Sequence, residues 1–295
     1  MCDENTEQEN QEYLLKRREF GKLGVSIGLS VGVAAGMAAL IPDSANAMDI
    51  TESDVDVTMA NGISDCYFVR PSIGKHPAVL MWPDIKGLRT AYKAMGKRLA
   101  EAGYAVLVVN QFYRDAKAPV VGPEASFSDP DTRAYLIGMA RKLGESNAIS
   151  DAKAYISFLD QQDGVDITRK MGTAGYCMGG PLIMRTAAAA PNRVGAAASF
   201  HGGGMATDKT DSPHLLIPKS PAHVLHAIAE NDDAKNPQMK EVLAAAYKAA
   251  GVPAEITVYK DTMHGWCALD STVYHKAQAE LAWARMLALF ERALV

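Results

Sequence analysis

The chain has few cysteines, no marked excess of one charge and no metal- or phosphate-binding motif, and each shortage excludes a class of protein. Its four cysteines and seven histidines show no spacing typical of a zinc site. Thirty basic residues stand against 34 acidic ones without a basic patch, so we expect no nucleic-acid partner. No glycine-rich loop matches the Walker or dinucleotide-binding patterns. The composition, 48% hydrophobic and 22% charged, is ordinary for a globular protein.

One long uncharged run is present, and it lies near the N-terminus. Lys16–Phe20 reads Lys-Arg-Arg-Glu-Phe, residues 23–42 carry no charge, and residues 45–47 read Ala-Asn-Ala. A charged segment followed by a weakly apolar run and an Ala-x-Ala site is typical of a secretory signal. The Arg17-Arg18-x-Phe20 pattern resembles the twin-arginine type, which exports proteins that have already folded.

We therefore predict that residues 1–47 are an export signal that engages the twin-arginine export machinery and is cleaved after Ala47. This places the mature protein, residues 48–295, in the periplasm. The alternative is an uncleaved membrane anchor, because about 20 residues can span a bilayer. Three cysteines remain after cleavage, and an odd number predicts at least one thiol outside any disulfide.

The hydrophobic pattern of residues 48–295 predicts strands that alternate with helices. Strands are expected at residues 55–59, 66–69, 77–82, 104–109, 194–200, 222–229 and 254–259, with one more leading into Gly175. Helices are expected at residues 88–103, 131–143, 149–162 (with Ser150 as a cap), 182–190, 238–250 and 271–294. The first two strands flank Asn61-Gly62, a hairpin signal, and residues 110–130 predict a long loop. This alternation predicts one α/β domain with a mostly parallel twisted sheet covered by helices on both faces.

The stretch Gly175-Tyr176-Cys177-Met178-Gly179 lies where a predicted strand turns into a helix. This pattern is that of the nucleophile elbow of α/β-hydrolases, here with cysteine in place of the commoner serine. The bend forces the nucleophile into a strained backbone conformation, and a side chain at Gly175 or Gly179 would collide with the neighbouring strand or helix. Because a glycine-rich turn is often only a turn, the catalytic interpretation depends on partners elsewhere in the chain.

Those partners follow in the chain order of an α/β-hydrolase, which is nucleophile, acid and histidine. Asp232 and Asp233 come directly after a predicted strand, and His264 lies between the last strand and the last helix. Both places are at the C-terminal ends of strands, where the sites of open α/β sheets lie. The sequence therefore predicts that these side chains meet Cys177.

The chemistry assigns a role to each candidate. His264 accepts the proton of Cys177 and later returns one to the leaving group, and Asp232 or Asp233 fixes the imidazole tautomer. The N-terminus of the following helix favours the thiolate. The backbone N–H groups of Met178, next to the nucleophile, and of Ile85, after the third strand, are the expected oxyanion donors.

These stretches resemble the dienelactone hydrolase family over essentially all of residues 48–295. The matching segments read Pro83-Asp84-Ile85-Lys86-Gly87-Leu88, Asn110-Gln111-Phe112-Tyr113-Arg114, Gly175-Tyr176-Cys177-Met178-Gly179-Gly180, Ser199-Phe200-His201-Gly202-Gly203, Ala229-Glu230-Asn231-Asp232 and His264-Gly265-Trp266. The resemblance implies a Cys177-Asp232-His264 triad that opens enol-lactones through an acyl-enzyme. It also implies a small ester or lactone substrate.

The resemblance names four further residues near the substrate, with one departure. The family has a glutamate after the third strand that interacts with the resting cysteine, and this chain has the shorter Asp84 there. Arg114 corresponds to an arginine that holds a substrate carboxylate, although a surface salt bridge is an equal interpretation. Tyr113 and His201 are expected to bind substrate or support the site.

We therefore expect a monomeric carboxylic ester hydrolase that needs no metal or organic cofactor. Three alternatives remain open: a broad esterase or thioesterase of the same fold, a non-catalytic ligand-binding relative, and a thiol redox protein. The redox alternative predicts a disulfide between Cys177 and Cys267.

Overall fold

The computed structural model describes residues 6, 8–15 and 47–295. The twin-arginine pair, the uncharged run of residues 23–42 and most of the predicted cleavage site lie outside the described residues. Within the described part, no helix is both long and apolar enough to cross a membrane. Residues 8–15 are helical, and we call them the leader helix.

Eight strands form one twisted sheet: β1 (Ile50–Met59), β2 (Gly62–Pro71), β3 (Ala78–Trp82), β4 (Ala105–Val108), β5 (Met171–Tyr176), β6 (Val194–Phe200), β7 (His223–Ala229) and β8 (Ala254–Tyr259). Their order across the sheet is β1-β2-β4-β3-β5-β6-β7-β8. β2 pairs antiparallel with β1 and with β4, and the remaining pairs are parallel. The prediction of a mostly parallel α/β sheet with one hairpin is confirmed.

The helices of residues 47–295 are α1 (Thr90–Glu101), α2 (Pro130–Ala140), α3 (Glu145–Asp160), α4 (Gly179–Ala189), α5 (Glu230–Lys235), α6 (Gln238–Ala250) and α7 (Lys276–Ala293), with a 3-10 helix at Pro213–Lys219. The predicted bounds of β6, α6 and β8 are confirmed without change. The short helix α5 and the 3-10 helix were not predicted, because segments of six or seven residues are too short to show a helical period.

Three predicted helix starts were wrong, and the smallest error is at α4, which begins at Gly179 and not at residue 182. Helix α3 begins at Glu145 with Gly144 as its N-cap, so Ser150 lies inside the helix and caps nothing. Helix α7 begins at Lys276, five residues later than expected, because the side chain of His275 accepts a hydrogen bond from the Gln278 N–H and caps the helix there.

Helices cover both faces of the sheet, as two hydrophobic clusters show. On one face Leu80 and Trp82 of β3 belong to a cluster that includes side chains of α3, α4 and α6. On the other face Val79 and Met81 of the same strand pack with side chains of α1 and α7. Successive residues of a strand point to opposite faces, so both alternating sets are buried. This burial fixes the register that brings the carboxyl ends of β3, β5, β7 and β8 to one edge.

Candidate active site

The turn between β5 and α4 holds Cys177 in an unusual backbone conformation. Its φ angle is +55°, a region that non-glycine residues rarely adopt. The Cys177 N–H donates to the carbonyl of Phe200 at 3.0 Å, and its own carbonyl accepts from the Gly180 N–H at 3.0 Å. These bonds fix the sharp strand-to-helix turn of a nucleophile elbow.

The glycines of the Gly-x-Cys-x-Gly pattern are required by close backbone contacts. A Cβ at Gly175 would lie 2.1 Å from the carbonyl oxygen of Gly179, and one at Gly179 would lie 2.5 Å from the carbonyl oxygen of Trp82. Gly180 is equally constrained, because its Cβ would lie 2.6 Å from the Cα of Gly202. The elbow is thus held against β3 on one side and against the turn after β6 on the other.

The predicted acid and base meet beside the elbow. His264 Nδ1 donates to Asp232 Oδ2 at 2.8 Å, and the His264 N–H donates to Asn231 Oδ1 at 2.8 Å. Asp232 belongs to α5, directly after β7, and His264 to the loop after β8. Asp233 instead pairs with Lys240 at 2.6 Å, so the geometry distinguishes the two aspartates that the sequence left open. The imidazole of His264 also hydrogen-bonds the side chain of Cys177.

The electrostatics of this trio favour a charged imidazole. Burial opposes a charge on His264, but the negative charges of Asp232 and Cys177, with hydrogen bonds to both, raise the pKa of His264 to about 10. Burial would raise the pKa of Asp232, and the facing His264 outweighs it, so the pKa of this carboxyl lies below its ordinary value. The arrangement places an imidazolium beside the sulfur of Cys177, with a carboxylate behind the ring.

Asp84 is held by an arginine that the sequence analysis did not select. Arg89 donates to both oxygens of Asp84, at 2.7 and 2.9 Å, and to both oxygens of Asp270, at 2.6 and 2.9 Å. The Lys86 N–H donates to the same aspartate at 2.9 Å. Burial opposes the charge, but Arg89 and the Lys86 N–H hold the pKa of Asp84 below its ordinary value. Spacing from Asp84 to the start of α1 was the only available signal for Arg89.

The two expected oxyanion donors belong to the turns after β3 and β5. Ile85 follows β3 and lines the cavity around Cys177. Met178 directly follows Cys177 at the start of α4, where backbone N–H groups carry partial positive charge. Their role as donors to an oxyanion stays a prediction.

Tyr113 and Arg114 are bound to one buried carboxylate. The Tyr113 hydroxyl donates to Asp151 at 2.9 Å, and two nitrogens of Arg114 donate to the two oxygens of Asp151, each at 2.7 Å. Among the described residues, neither side chain lines the cavity around Cys177. Substrate binding by these residues therefore stays a prediction, and the observed contacts tie the loop after β4 to α3.

His201 lies in the cavity beside the triad. Its side chain is 1% exposed, its φ angle is +41°, and its ring centroid lies 5.1 Å from that of His264 in an edge-to-face contact. Neither ring nitrogen has a hydrogen-bond partner among the described residues. Burial and the neighbouring charge of His264 lower the pKa of His201 to about 4, so this ring is neutral.

The cavity around Cys177 is small, and residues of the N-terminal segment help to line it. Its volume is about 110 Å³, and Thr6 and Asn10 are among its lining residues. Glu9 of the leader helix pairs with Lys235 at 2.7 Å and accepts from Asn231 Nδ2 at 3.1 Å. The Tyr13 hydroxyl donates to the carbonyl of Asp261 at 3.0 Å. The sequence predicted only an export signal for this segment, and these contacts were not predicted.

Comparison with known proteins agrees with this geometry. Residues 64–294 match the dienelactone hydrolase family. A carboxymethylenebutenolidase-like protein of Escherichia coli (strain K12) is 30% identical over 236 residues, which cover 77% of this chain and 81% of that protein. The carboxymethylenebutenolidase of Rhodococcus opacus is 27% identical over 235 residues, 75% of this chain and 83% of the relative.

The same fold is found in solved structures. The crystal structure of a dienelactone hydrolase-like protein from Klebsiella pneumoniae superposes with a TM-score of 0.71 at 23% identity. The match covers 82% of this chain and 99% of the other. With the elbow, the acid and the histidine in the order of an α/β-hydrolase, the chain belongs to the dienelactone hydrolase family.

Proposed function

We propose that this protein hydrolyses small esters or lactones through an acyl-enzyme on Cys177. One observation carries the proposal: Cys177 at a strained elbow is hydrogen-bonded to His264, which donates to Asp232 at 2.8 Å. The enzyme class follows from membership in the dienelactone hydrolase family.

The mechanism has two halves that use the same groups. The sulfur of Cys177 attacks the carbonyl carbon, and the N–H groups of Met178 and Ile85 stabilise the oxyanion. The protonated His264 then gives its proton to the leaving oxygen as the C–O bond breaks, which leaves a thioester. Neutral His264 next takes a proton from water, the resulting hydroxide attacks the thioester, and Cys177 departs as thiolate. Asp232 stabilises the imidazolium that forms in this second half.

The relatives suggest which substrate to test first. The Rhodococcus opacus relative is a carboxymethylenebutenolidase, so an enol-lactone bearing a carboxylate heads the panel. Simple esters and thioesters complete it, because a broad esterase of the same fold would accept them as well.

The test measures hydrolysis of this panel by residues 48–295, the predicted mature protein, with folding monitored by circular dichroism. We expect the wild type to turn over and Cys177→Ala and His264→Ala each to lose about 10³-fold or more. Cys267→Ala is the matched control, because this buried cysteine packs in the hydrophobic cluster on the α1 and α7 face of the sheet, and its activity should be unchanged. Equal activity in wild type and Cys177→Ala would remove the proposal.

Two other outcomes would identify the alternatives. An inactive but folded wild type would favour a non-catalytic ligand-binding protein. A thiol count that rises when reductant is added would favour the redox alternative, because that alternative needs a disulfide. The structure has no disulfide among Cys66, Cys177 and Cys267.

We also propose that the protein is exported to the periplasm by the twin-arginine route, with cleavage after Ala47. The sequence of residues 16–47 supports this proposal. Fractionation of cells that express the wild type or the Arg17→Lys/Arg18→Lys variant tests it. We expect the wild type in the periplasm with Met48 as its first residue, and the variant inside the cell. Recovery of the uncleaved chain in the membrane would instead support an anchor.

A further inference from the structure

His201 is a buried polar group whose surroundings leave both of its nitrogens without a partner. Such groups are rare in folded proteins, and each costs on the order of 1–3 kcal/mol. The ring lies in the same cavity as Cys177 and His264. A ligand that enters this cavity would supply the hydrogen bond that the folded protein does not.

The backbone holds His201 in this position despite the strain of its own conformation. Its φ angle of +41° is strained, and its N–H donates to the carbonyl of Ala227 at 2.8 Å. The next residue, Gly202, packs so closely on Gly180 that its Cβ would lie 3.1 Å from the Gly180 Cα. Strain of this kind persists where the surroundings impose it, and it clusters at functional sites.

We propose that His201 contacts the substrate and donates a hydrogen bond to an oxygen on the leaving-group side of the ester. The ring lies against that of His264, the group that delivers a proton to the leaving oxygen. A neutral imidazole carries one N–H donor, and the charge of His264 opposes a second proton. The inference rests on the proposed hydrolase function.

The test replaces His201 by phenylalanine, which keeps the ring and removes both nitrogens. We expect kcat/KM for oxygen esters to fall about tenfold or more, and the loss to be smaller for thioesters of the same acyl group, because sulfur is a weak acceptor. We also expect the unfolding midpoint to stay unchanged or to rise, because an unsatisfied polar group is removed.

His226→Phe is the matched control. This histidine is also buried, but its Nε2 lies 2.9 Å from the Tyr247 hydroxyl and it does not line the cavity among the described residues. We expect lower stability and unchanged kinetics. If His201→Phe loses stability as the control does, or loses oxygen-ester and thioester activity equally, the inference is wrong. If the wild type hydrolyses nothing, the proposed function itself fails, whereas the stability comparison still tests whether the His201 nitrogens lack a partner.

A second, independent observation concerns the leader helix. With Thr6 and Asn10 in place, the cavity of about 110 Å³ is well below the roughly 300–1,000 Å³ of a small-molecule site. Thr6 and Asn10 are 7% and 6% exposed, so these two lining residues are packed against the rest of the protein. Cys177 itself is 2% exposed.

The contacts of the leader helix are made to the elements that carry the triad. Glu9 binds Lys235 and Asn231 on α5, the helix of Asp232. Tyr13 binds the carbonyl of Asp261, three residues before His264. The segment therefore covers the acid and base side of the cavity.

We infer that the leader helix closes the active site in the uncleaved chain and that its removal opens it. A protein exported by the twin-arginine route folds before export, so without this closure its complete active site would be accessible inside the cell. Closure by the leader keeps the folded precursor inactive until the signal is cut.

The test measures alkylation of Cys177 by iodoacetamide in the full chain, read by mass spectrometry of the Cys177 peptide. Glu9→Lys and Lys235→Glu should each raise the rate about two- to fivefold, the change expected from one partly exposed ion pair. The double variant restores the pair with reversed charges and should return the rate towards that of the wild type.

Glu12→Lys is the control, because this exposed glutamate lies on the same helix and undergoes the same charge change. If it matches Glu9→Lys, or if Glu9→Lys matches the wild type, the closure is rejected. Because alkylation needs no turnover, a failure of the proposed hydrolase function would not affect this result.

Discussion

At the scale of single residues, the site pairs opposite charges that are almost hidden from solvent. Cys177 is 2% exposed and His264 is 5% exposed. Asp232, bonded to His264 at 2.8 Å, stabilises the imidazolium beside the sulfur of Cys177. Protonated histidine is therefore ready to act as an acid at the first step.

The raised pKa of His264 predicts how stability depends on pH. The folded protein keeps the proton up to about pH 10, whereas the unfolded chain loses it near its ordinary value of 6.5. The contribution of His264 is thus complete below pH 6.5 and is lost as the pH rises towards 10. We expect the difference in unfolding free energy between wild type and Asp232→Asn to narrow across this range, as measured by urea unfolding. A constant difference would contradict the assignment.

The candidate catalytic residues were predictable because the chain order of an α/β-hydrolase leaves few candidates for each role. Cys177, Asp232 and His264 each follow a strand in the order of the α/β-hydrolase site, so the sequence could place them at one edge. Arg89 was not predictable, because its partners Asp84 and Asp270 lie far apart in the chain and meet only in the folded protein. The lack of partners around His201 is likewise a property of packing.

At the scale of elements, the elbow is shaped by backbone contacts. Gly179→Ala would place a Cβ 2.5 Å from the Trp82 carbonyl, so β3 or α4 must move. We expect a loss of roughly 1–3 kcal/mol in unfolding free energy and a loss of hydrolysis, measured by urea unfolding and by ester assay.

Gly138→Ala in α2 is the control, because a Cβ there meets nothing within 4 Å. It should stabilise the protein by roughly 0.5–1 kcal/mol through helix propensity. If both alanine variants behaved alike, the close contact at Gly179 would not be the cause.

Elements were predictable where periodicity or a buried run extends over their whole length, as in β6, α6 and β8. The start of α7 was not, because residues 271–275 carry helix-compatible side chains and the cap by His275 depends on its own geometry. The hairpin strands are ten residues each, longer than predicted, because ladder pairing continues where the side chains become polar and exposed.

At the scale of the whole molecule, a buried network joins the loop after β4 to the sheet and to α3. Asp151 accepts from Tyr113 and Arg114, and nearby Tyr155 lies 2.8 Å from the hydroxyl of Ser64 on β2. Asp151 is 1% exposed, so these partners take the place of water around its carboxylate.

Asp151→Ala would leave the Arg114 guanidinium without its carboxylate in a largely buried site. We expect a loss of about 3–5 kcal/mol in unfolding free energy, measured by urea unfolding. Asp160→Ala, on the same helix, is the control. Asp160 pairs with Arg193 at 2.8 Å, and the aspartate side chain is about one-third exposed. We therefore expect a loss of about 0–1 kcal/mol in unfolding free energy. Equal losses would contradict the structural role of the network.

The fold class was predictable at this scale, and the position of the leader was not. Alternating strands and helices determine the sheet, and the prediction of an α/β-hydrolase fold is confirmed by the topology and by the solved relatives. The leader helix touches the domain through side chains such as Glu9 and Tyr13, whose partners lie more than 200 residues away. No local pattern encodes such contacts.

The elbow has a consequence for how such enzymes change over evolution. The contacts that bend the chain involve Gly175, Gly179 and the Trp82 carbonyl, and none of them uses the sulfur of Cys177. Cysteine and serine codons differ by one base, so a lineage can exchange thiol and hydroxyl without rebuilding the turn. The architecture and the nucleophile are therefore inherited as separable traits, and one ancestral scaffold can give rise to both thiol and serine hydrolases.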